Sequence, residues 1–349
     1  MNENKFLLVK GIAGLGNRML SALTGILYAR LSGRRLIIDW SDHYYSSDGS
    51  NVFHRYFECQ LTAPADVIPA TDSVSPSIWR GNLRESAWHM RKQKGQVHNS
   101  GAWRIFSIDL ERLDYDEDVI VMWTYDEKSV DLLRKHFKGP FAELNGLSTD
   151  NILRKLLRGY LILRPEIRER VNRFKENNFG AINVGIHIRY TDHRTNIWAI
   201  LKKLNSLIKR EPGLRIFLST DYTQIKNLFE ELYPGVISTP HWYSPAPGMS
   251  IHQNRERPDP LESGIEALVD LYLLPECDYM IIDSSSSFSY IAKLLAKTPD
   301  SNIFDVGSRG KDSPRIRRQV TRIMLRLGLF SWGISLFGGA ARIHRYFNR

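Results

Sequence analysis

The stretch "KFLLVKGIAGLGNRMLSALTGILYARLSGRRLIIDW", residues 5–40, decides the fold. Its apolar start, 5–10, predicts a strand, and a turn with three glycines follows. Apolar residues then recur at helical spacing over 17–33, where Gly33 is suited to cap the helix, and 34–40 predict a second strand. This strand–turn–helix–strand order is typical of half of a Rossmann-like domain.

Strands and helices alternate again after residue 180, which predicts a second parallel sheet. Residues 41–115 read as irregular, 118–125 as a strand, and 147–178 as mostly helical with a break before Pro165. The predicted strands of the second series are 181–190, 214–221, 236–240 and 278–283, and its helices are 196–211, 222–234, 261–277 and 284–297. We therefore expect an N-terminal domain over 1–178, a C-terminal domain over 179–310 and a tail over 311–349.

Length and composition favour a protein of two domains, since 349 residues exceed the size of one core and 42% are hydrophobic. Of the net charge of +10, +8 lies in 311–349, which holds nine basic residues and one acid. The excess of basic over acidic residues therefore lies mainly in the tail, and it does not indicate a nucleic-acid enzyme.

The cysteines and the N-terminus favour a cytoplasmic protein. Two cysteines, Cys59 and Cys277, cannot form a disulfide framework or a four-thiolate metal site, and we expect both to be buried and reduced. The first residues contain no apolar segment of the kind that marks a secretory signal.

The glycine turn, with Gly11, Gly14 and Gly16, leaves three interpretations open. Its order is G-x-x-G-x-G, whereas a nicotinamide fingerprint is G-x-G-x-x-G, although Asp39 lies at the distance expected of the ribose-binding acid. The turn can bind NAD, serve structure alone, or contact another ligand.

"GIHIRYTD", residues 185–192, places His187 and Arg189 at the carboxyl end of a predicted parallel strand, where open α/β sheets bind ligands. Arg189 can bind two phosphate oxygens at once, and His187 can donate to a phosphate or order the loop. The alternative is that Arg189 pairs with Asp192 and that His187 is a core residue.

Three further signals follow in the second half. Asp221 ends the next strand near the same edge, where it can contact a ligand, cap the following helix, or do both. The serine run 284–288 precedes a helix, which suits a diphosphate or simple capping. Asp270 lies in a mostly apolar helix and needs a partner, such as guanine or an arginine. We find no metal-binding motif and expect no metal cofactor.

At these positions the chain resembles the GDP-fucose-dependent fucosyltransferases with an H-x-R signature, above all the NodZ-like rhizobial α1,6-fucosyltransferases. The resemblance covers about residues 7–60 and 180–297. The turn before the first helix also looks like the G-x-G-N turn of plant xyloglucan α1,2-fucosyltransferases and protein O-fucosyltransferases. The matching segments, in order, are the opening stretch from Gly14, "NVFHRYFE", "GIHIRY", "RIFLSTD" and "ALVDLYLLPEC".

The resemblance implies a GT-B fold, in which two Rossmann-like domains face a cleft, and an inverting transfer of fucose without a metal. Arg189 would hold the β-phosphate with support from His187, and Asp270 would recognise guanine. Asn17 would face the donor from the first domain. The other residues implied at the donor are Gly14, Gly16, Asp221, Ser285, Ser286 and Ser287.

The chain departs from this family at two positions that bear on catalysis. Tyr190 stands where α1,6 enzymes have a second arginine, and Ile197 lies near the position of their proposed catalytic glutamate. The nearest titratable candidates for a base are Asp192 and His193.

The tail "PRIRRQVTRIMLRLGLFSWGISLFGGAARIHRYFNR", residues 314–349, mixes arginines with large apolar residues. Its uncharged run is too short to span a bilayer, so the pattern favours a basic amphipathic membrane anchor, with a helix packed on the body as the alternative. An anchor would place the protein at the inner face of the cytoplasmic membrane. The acceptor would then be a bacterial surface polysaccharide or a lipid-linked oligosaccharide, joined by an α1,6 or α1,2 linkage. The rival functions are an NAD-dependent oxidoreductase and a non-catalytic membrane-bound scaffold.

Overall fold

The computed structural model divides into two compact units. The first runs to Arg170 and also includes 258–269, and the second comprises 171–257 and the described residues from Asp270 onward. The residues that the structure describes are 2–96, 101, 103–124, 127–243, 249–254 and 256–307.

The strands are short, and most of them belong to two parallel sheets. In chain order they are β1 (Asn2–Lys10), β2 (Arg34–Asp39), β3 (Phe57–Glu58), β4 (Val74–Ser75), β5 (Val119–Met122), β6 (Ile162–Leu163), β7 (Asn183–Ile188), β8 (Arg215–Thr220), β9 (Tyr279–Ile282) and β10 (Ile303–Asp305).

The α-helices connect these strands. In chain order they are α1 (Leu15–Ser32), α2 (Phe53–Tyr56), α3 (Ala87–Gln93), α4 (Trp103–Phe106), α5 (Thr149–Tyr160), α6 (Pro165–Asn178), α7 (Ile197–Arg210), α8 (Thr223–Leu232), α9 (Pro260–Leu273) and α10 (Ser287–Leu295). Two longer 3-10 helices cover Glu127–His136 and Gly139–Gly146.

The first unit contains the parallel sheet β2–β1–β5–β4. Leu7, Leu8 and Val9 of β1 are fully buried. Both faces of the sheet are therefore covered, which explains why β1 reads as a continuous apolar run rather than an alternating one. Helix α1 ends where the sequence predicts, because Gly33 adopts a left-handed conformation with φ of 70° and caps it.

Gly25 allows α1 to pack closely on this sheet, and its replacement is expected to weaken the first unit. A Cβ on Gly25 would lie 2.5 Å from Val9 Cγ2 and 3.2 Å from Met122 Cε. We expect Gly25→Ala to lower the free energy of unfolding by about 1–3 kcal/mol, the usual cost of overpacking a core. Gly159→Ala is the matched control, since nothing lies within 4 Å of its Cβ in α5, and it should stabilise by about 0.5–1 kcal/mol. Denaturant titration of both variants measures the difference, and equal effects would contradict the packing argument.

The second unit contains the parallel sheet β10–β9–β7–β8. In its register His187 lies beside Ser219, and Ile188 beside Thr220. The carboxyl ends of β7 and β8 therefore meet at one edge, and the loops that follow them start side by side.

One predicted strand, 236–240, is reduced to a single bridge. Ile237 pairs with Phe217 beside β8, but the pairing does not extend into a ladder. Pro240 contributes to this outcome, because it has no N–H with which to continue a strand. The predicted helical break before Pro165 is confirmed, since α5 ends at Tyr160 and α6 begins at Pro165.

Candidate functional site

His187 lies near the carboxyl end of β7 and connects it to α10. Its Nδ1 lies 2.6 Å from Ser289 Oγ, and its ring stacks on Phe288 at 4.7 Å between centroids. Burial, reinforced by the charge of Arg189, lowers the pKa of His187 to about 3. The imidazole is therefore neutral at physiological pH, and its position is fixed by the start of α10.

Arg189 follows directly after β7 and forms a two-point ion pair with Asp192. Arg189 Nε lies 2.7 Å from Asp192 Oδ1, and Nη2 lies 2.6 Å from Oδ2. This pairing was one of the alternatives open from the sequence. It uses two of the five N–H donors of a guanidinium. Burial opposes ionisation of Asp192, but the hydrogen bonds and charge of Arg189 prevail and lower the pKa of Asp192.

Asp221 holds the loop after β7 from the end of the neighbouring strand. Its Oδ1 accepts from the Tyr190 backbone N–H at 2.7 Å, and its Oδ2 accepts from Thr191 Oγ1 at 2.5 Å. The alternative that Asp221 caps the next helix is wrong, because the N-cap of α8 is Tyr222 and no side chain caps it. Burial raises the pKa of Asp221, against the opposing effect of these hydrogen bonds.

The serine turn after β9 is organised by Asp283. Ser285 Oγ donates to Asp283 Oδ1 at 2.5 Å, and Ser285 N donates to the same oxygen at 3.1 Å. His193 joins this group, with its Nε2 at 3.2 Å from Ser285 Oγ and 3.4 Å from Asp283 Oδ2. Both contacts are made by one ring nitrogen, so the three residues do not form the relay of a serine hydrolase, which needs both nitrogens.

Ser286 precedes α10 as its N-cap, but it does not cap the helix with its side chain. Its hydroxyl is buried, and within the described residues it has no hydrogen-bond partner. Ser287, the first residue of the helix, is half-buried. An unsatisfied buried hydroxyl beside the free N–H groups of a helix start is a donor arrangement suited to an anion.

Asp270 of α9 is buried, and its hydrogen-bond partners are hydroxyl groups. Thr239 Oγ1 donates to Asp270 Oδ1, and Ser219 supplies a second side-chain hydrogen bond. Burial raises the pKa of Asp270, while His241 and the two hydroxyls oppose that rise. In the described part of the chain the ionisable side chain that acts on Asp270 is this histidine, and not an arginine as the sequence alternative had it.

The glycine turn of the first unit is built around a buried arginine. Arg18 Nε donates to the Ala13 carbonyl at 2.9 Å, and Arg18 Nη2 lies 2.5 Å from Asp42 Oδ2. Ala13 has a positive φ of 61°, which this bond supports. Gly14 is the uncapped N-cap of α1, Gly16 is buried, and Asn17 is half-buried in the first helical turn.

The structure thus brings most of the predicted residues of the second half to one sheet edge. Around the ends of β7 and β9 lie His187, Arg189, Asp192, His193, Asp221, Ser285, Ser286 and Ser287.

Sequence reasoning missed several partners of these residues. Asp283 could have been found, since it ends a strand just as Asp221 does. Ser289, Thr239 and His241 carry no such signal, because their roles depend on contacts between distant parts of the chain.

Two observations bear on cofactors and membranes. Among the described residues, no group of three or more His, Cys, Asp or Glu side chains is arranged to hold a metal ion. Across the same residues, none of the helices has the length and apolar character needed to cross a bilayer. The predicted tail, 311–349, lies outside the described residues.

Comparison with known proteins relates the chain to one group. A model of the family described as nodulation protein Z matches residues 147–312. Nodulation protein Z of Azorhizobium caulinodans is 24% identical over 332 residues, which cover 84% of this chain and 90% of that protein.

Solved structures give the same relationship at the level of the fold. NodZ alpha-1,6-fucosyltransferase soaked with GDP-fucose has a TM-score of 0.55 at 21% identity, covering 84% of this chain and 93% of its own. An Arabidopsis thaliana FUT1 mutant in complex with GDP has a TM-score of 0.51 at 19% identity, covering 86% and 73% respectively. The predicted α/β fold of the GT-B class is confirmed, and the chain is NodZ-like in sequence and in fold.

Proposed function

We propose that the chain is a glycosyltransferase that moves fucose from GDP-fucose to a glycan acceptor, with inversion and without a metal ion. One observation carries the proposal. A neutral His187 at the end of β7, two residues before Arg189, contacts the first turn of α10, and the N-cap of that helix, Ser286, has a buried hydroxyl with no partner among the described residues. The similarity to nodulation protein Z, and to a NodZ structure soaked with GDP-fucose, supports this donor.

The β7–α10 edge is suited to a diphosphate. Arg189 would bind the β-phosphate, and the N-terminal amides of α10 with Ser285, Ser286 and Ser287 would bind the remaining oxygens. Asp192 holds the guanidinium in one orientation through two hydrogen bonds. A fixed donor of this kind stabilises charge without reorganising during the reaction.

The reaction requires stabilisation of a leaving group and removal of a proton. An acceptor hydroxyl attacks C1 of fucose, the bond from C1 to the β-phosphate oxygen breaks, and GDP leaves with both electrons of that bond. In our proposal Arg189 and the start of α10 take up the charge that develops on the diphosphate.

Asp192 and His193 are the candidate bases for the acceptor hydroxyl. Both oxygens of Asp192 bond to Arg189, and its lowered pKa makes it a weak proton acceptor. His193 has a side chain that is 38% exposed and lies beside Asp283, which favours it for this step. The role of Asn17 at the donor, which the resemblance implies, stays a prediction.

Asp270 supplies the proposed specificity for guanine. As a carboxylate it accepts hydrogen bonds, and guanine presents the N1–H and N2–H₂ donors that match it. Thr239 and Ser219 already donate to this buried carboxylate, and guanine would add two further donors. The acceptor, a surface polysaccharide or a lipid-linked oligosaccharide, and its α1,6 or α1,2 linkage remain predictions, as does membrane contact through 314–349.

The oxidoreductase alternative is weakened by the first unit. Asp39, which would bind the ribose of NAD, is instead paired with buried Lys10 at 2.6 Å. A non-catalytic scaffold remains a rival that turnover can test.

Nucleotide binding provides the first test. In the presence of EDTA, GDP at about 100 times its dissociation constant should stabilise the protein by about 2.7 kcal/mol, and NAD should not. Differential scanning fluorimetry measures the shift in melting temperature. Stabilisation by NAD alone would refute the proposal.

Turnover provides the second test. GDP release from GDP-fucose, measured with free and lipid-linked oligosaccharides, separates a transferase from a scaffold. For a scaffold no turnover is expected with any acceptor or with water.

A further inference from the structure

The described residues of the segment 77–106 form a layer over one face of the sheet in the first unit. The buried cluster that joins this layer to β1 and β5 includes Phe6, Leu8, Val119 and Val121 of the strands and Trp79, Leu83, Ala87, Met90 and Phe106 of the segment. Helix α1 packs on the opposite face of the sheet, where its Gly25 lies against Val9 and Met122. The exposed side chains of 77–106 therefore lie on the outer side of the layer, away from the sheet.

This outer side is strongly basic. The segment 77–106 holds six basic residues and one acid, a net charge of +5. The whole of 1–310 carries only +2, which is what remains of the total of +10 after the +8 of the tail, so the rest of 1–310 is net negative. Five of the six basic side chains and one large apolar side chain are exposed. We call these residues the basic surface: Arg80, Arg84, Lys92, Lys94, Arg104 and Ile105.

Contacts between the buried rings beneath the basic surface hold its parts next to one another. The Arg91 guanidinium lies 5.6 Å from the centroid of the Trp123 ring, and the Phe106 ring lies 5.5 Å from the same ring. Trp79 Nε1 in turn donates to the Phe106 carbonyl at 2.8 Å. The exposed residues next in sequence to Arg91, Phe106 and Trp79 are Lys92, Ile105 and Arg80. Residues that are distant in the segment thus belong to one continuous surface.

The charge of the basic surface is only partly neutralised within the protein. Among the described residues, Arg80, Lys92 and Lys94 have no ion-pair partner. The one acid of the segment, Glu85, instead lies 3.7 Å from His89. Like charges held on one surface repel each other and attract anions, so the basic surface is suited to a partner of negative charge.

We infer that the basic surface binds the anionic phospholipid headgroups of a membrane, independently of the tail over 314–349. Ile105 favours a membrane over a soluble polyanion, because it is 44% exposed beside Arg104 and is one of only four large apolar side chains exposed in the described part of the chain. An apolar side chain among basic ones can enter the boundary between headgroups and acyl chains, whereas a soluble polyanion offers it nothing. The inference does not rest on the proposed function, since no donor-site residue takes part.

The test measures the partition coefficient of the full chain, by co-sedimentation, on vesicles of equal parts phosphatidylglycerol and phosphatidylcholine. We expect Lys92→Gln/Lys94→Gln to lower this coefficient by about 25-fold, which is about fivefold for each charge and corresponds to about 1 kcal/mol per basic residue at an anionic surface. Raising the salt from about 0.1 M to about 1 M should reduce the difference, because the range over which charges act falls from about 10 Å to about 3 Å. Both lysines are exposed, so the variant should melt near the wild-type temperature.

Lys138→Gln/Lys209→Gln is the matched control. It removes the same charge from two exposed lysines outside 77–106 that, like Lys92 and Lys94, have no ion-pair partner in the described part of the chain. It should lower the partition coefficient by less than about twofold, because charges more than about 10 Å from the membrane are screened. Equal losses in the two double variants would overturn the inference, since total charge, including that of the tail, would then account for binding. Wild type that binds pure phosphatidylcholine vesicles as tightly as the anionic ones would also overturn it.

Ile105→Ser separates a membrane from a soluble polyanion. It should lower the partition coefficient on the anionic vesicles by about fourfold for each methylene that no longer leaves water, which corresponds to about 0.8 kcal/mol. Its binding to heparin, a soluble polyanion, should equal that of wild type. Vesicle binding that is unchanged in Ile105→Ser, or a loss of heparin binding without a loss of vesicle binding in Lys92→Gln/Lys94→Gln, would assign the basic surface to a soluble polyanion and overturn the inference.

Discussion

Arg189→Ala is expected to reduce the rate of GDP release from GDP-fucose by on the order of 10²–10³-fold, the usual effect of removing one charge-stabilising donor. The arginine lies directly after β7, and its side chain is 23% exposed, so it can be reached by a ligand while being held by Asp192. The loss should appear mainly in kcat, because the developing charge on the diphosphate is greatest in the transition state. A smaller rise in the dissociation constant of GDP should accompany it.

Two further variants test whether geometry as well as charge is needed at this position. Arg189→Lys keeps the charge but loses the planar fork, so it should recover only part of the activity. Arg215→Ala is the matched control, since Arg215 is an exposed arginine at the amino end of β8, the opposite edge of the same sheet. Arg189→Lys and Arg215→Ala should both melt near the wild-type temperature. Equal activity of Arg189→Ala and Arg215→Ala would show that Arg189 is not the phosphate clamp.

The fold was largely predictable from the sequence because its main elements are set by local patterns. The run of apolar residues in β1, the helical spacing in α1 and the cap at Gly33 all act over a few neighbouring residues. The missed strands, β3, β4, β6 and β10, have two or three residues each, too few to show a period. β4 and β10 form because an adjacent strand, β5 or β9, offers them hydrogen bonds, and β3 and β6 pair with each other.

The residues of the candidate site that directly follow predicted strands could be predicted from the sequence. Arg189 and Asp221 were found because both follow neighbouring parallel strands, and the register of β7 and β8 brings them to one edge. Their hydrogen-bond partners could not be deduced. The contact from His187 to Ser289 joins residues 102 positions apart, and the contact from Thr239 to Asp270 joins residues 31 apart. A single sequence does not encode such pairings in any local signal.

The hydrogen-bond partners of Lys10, which matter for stability, could likewise not be deduced from the sequence. The sequence places it at the end of β1 beside a glycine turn, where a lysine would ordinarily be exposed. In the structure it is 1% exposed, and its ammonium bonds to Asp39 Oδ2 at 2.6 Å, the Leu83 carbonyl at 2.7 Å and the Glu85 carbonyl at 2.8 Å. These three acceptors satisfy all three of its donors.

Lys10→Met is therefore expected to destabilise the first unit by about 3–5 kcal/mol, because it leaves the buried Asp39 carboxylate without its counter-charge. For a unit of this size the melting temperature should fall by roughly 6–20 °C. Lys155→Met is the control, since Lys155 pairs with Glu143 on the surface with side chains 54% and 65% exposed, and it should cause little measurable change.

The double variant Lys10→Met/Asp39→Leu distinguishes the net contribution of the ion pair to the free energy of unfolding from the loss caused by removing only one partner. Replacing both partners of a buried pair by apolar residues is often close to neutral, so most of the lost stability should return. Some loss should persist, because Asp39 Oδ1 also accepts from the Ser41 backbone N–H at 3.0 Å, and two carbonyls lose their donor. If the double variant is as unstable as Lys10→Met, the cost lies in those carbonyls and not in the stranded carboxylate. Chemical denaturation of wild type, Lys10→Met and the double variant distinguishes the two, since only a stranded carboxylate predicts that removing Asp39 restores stability.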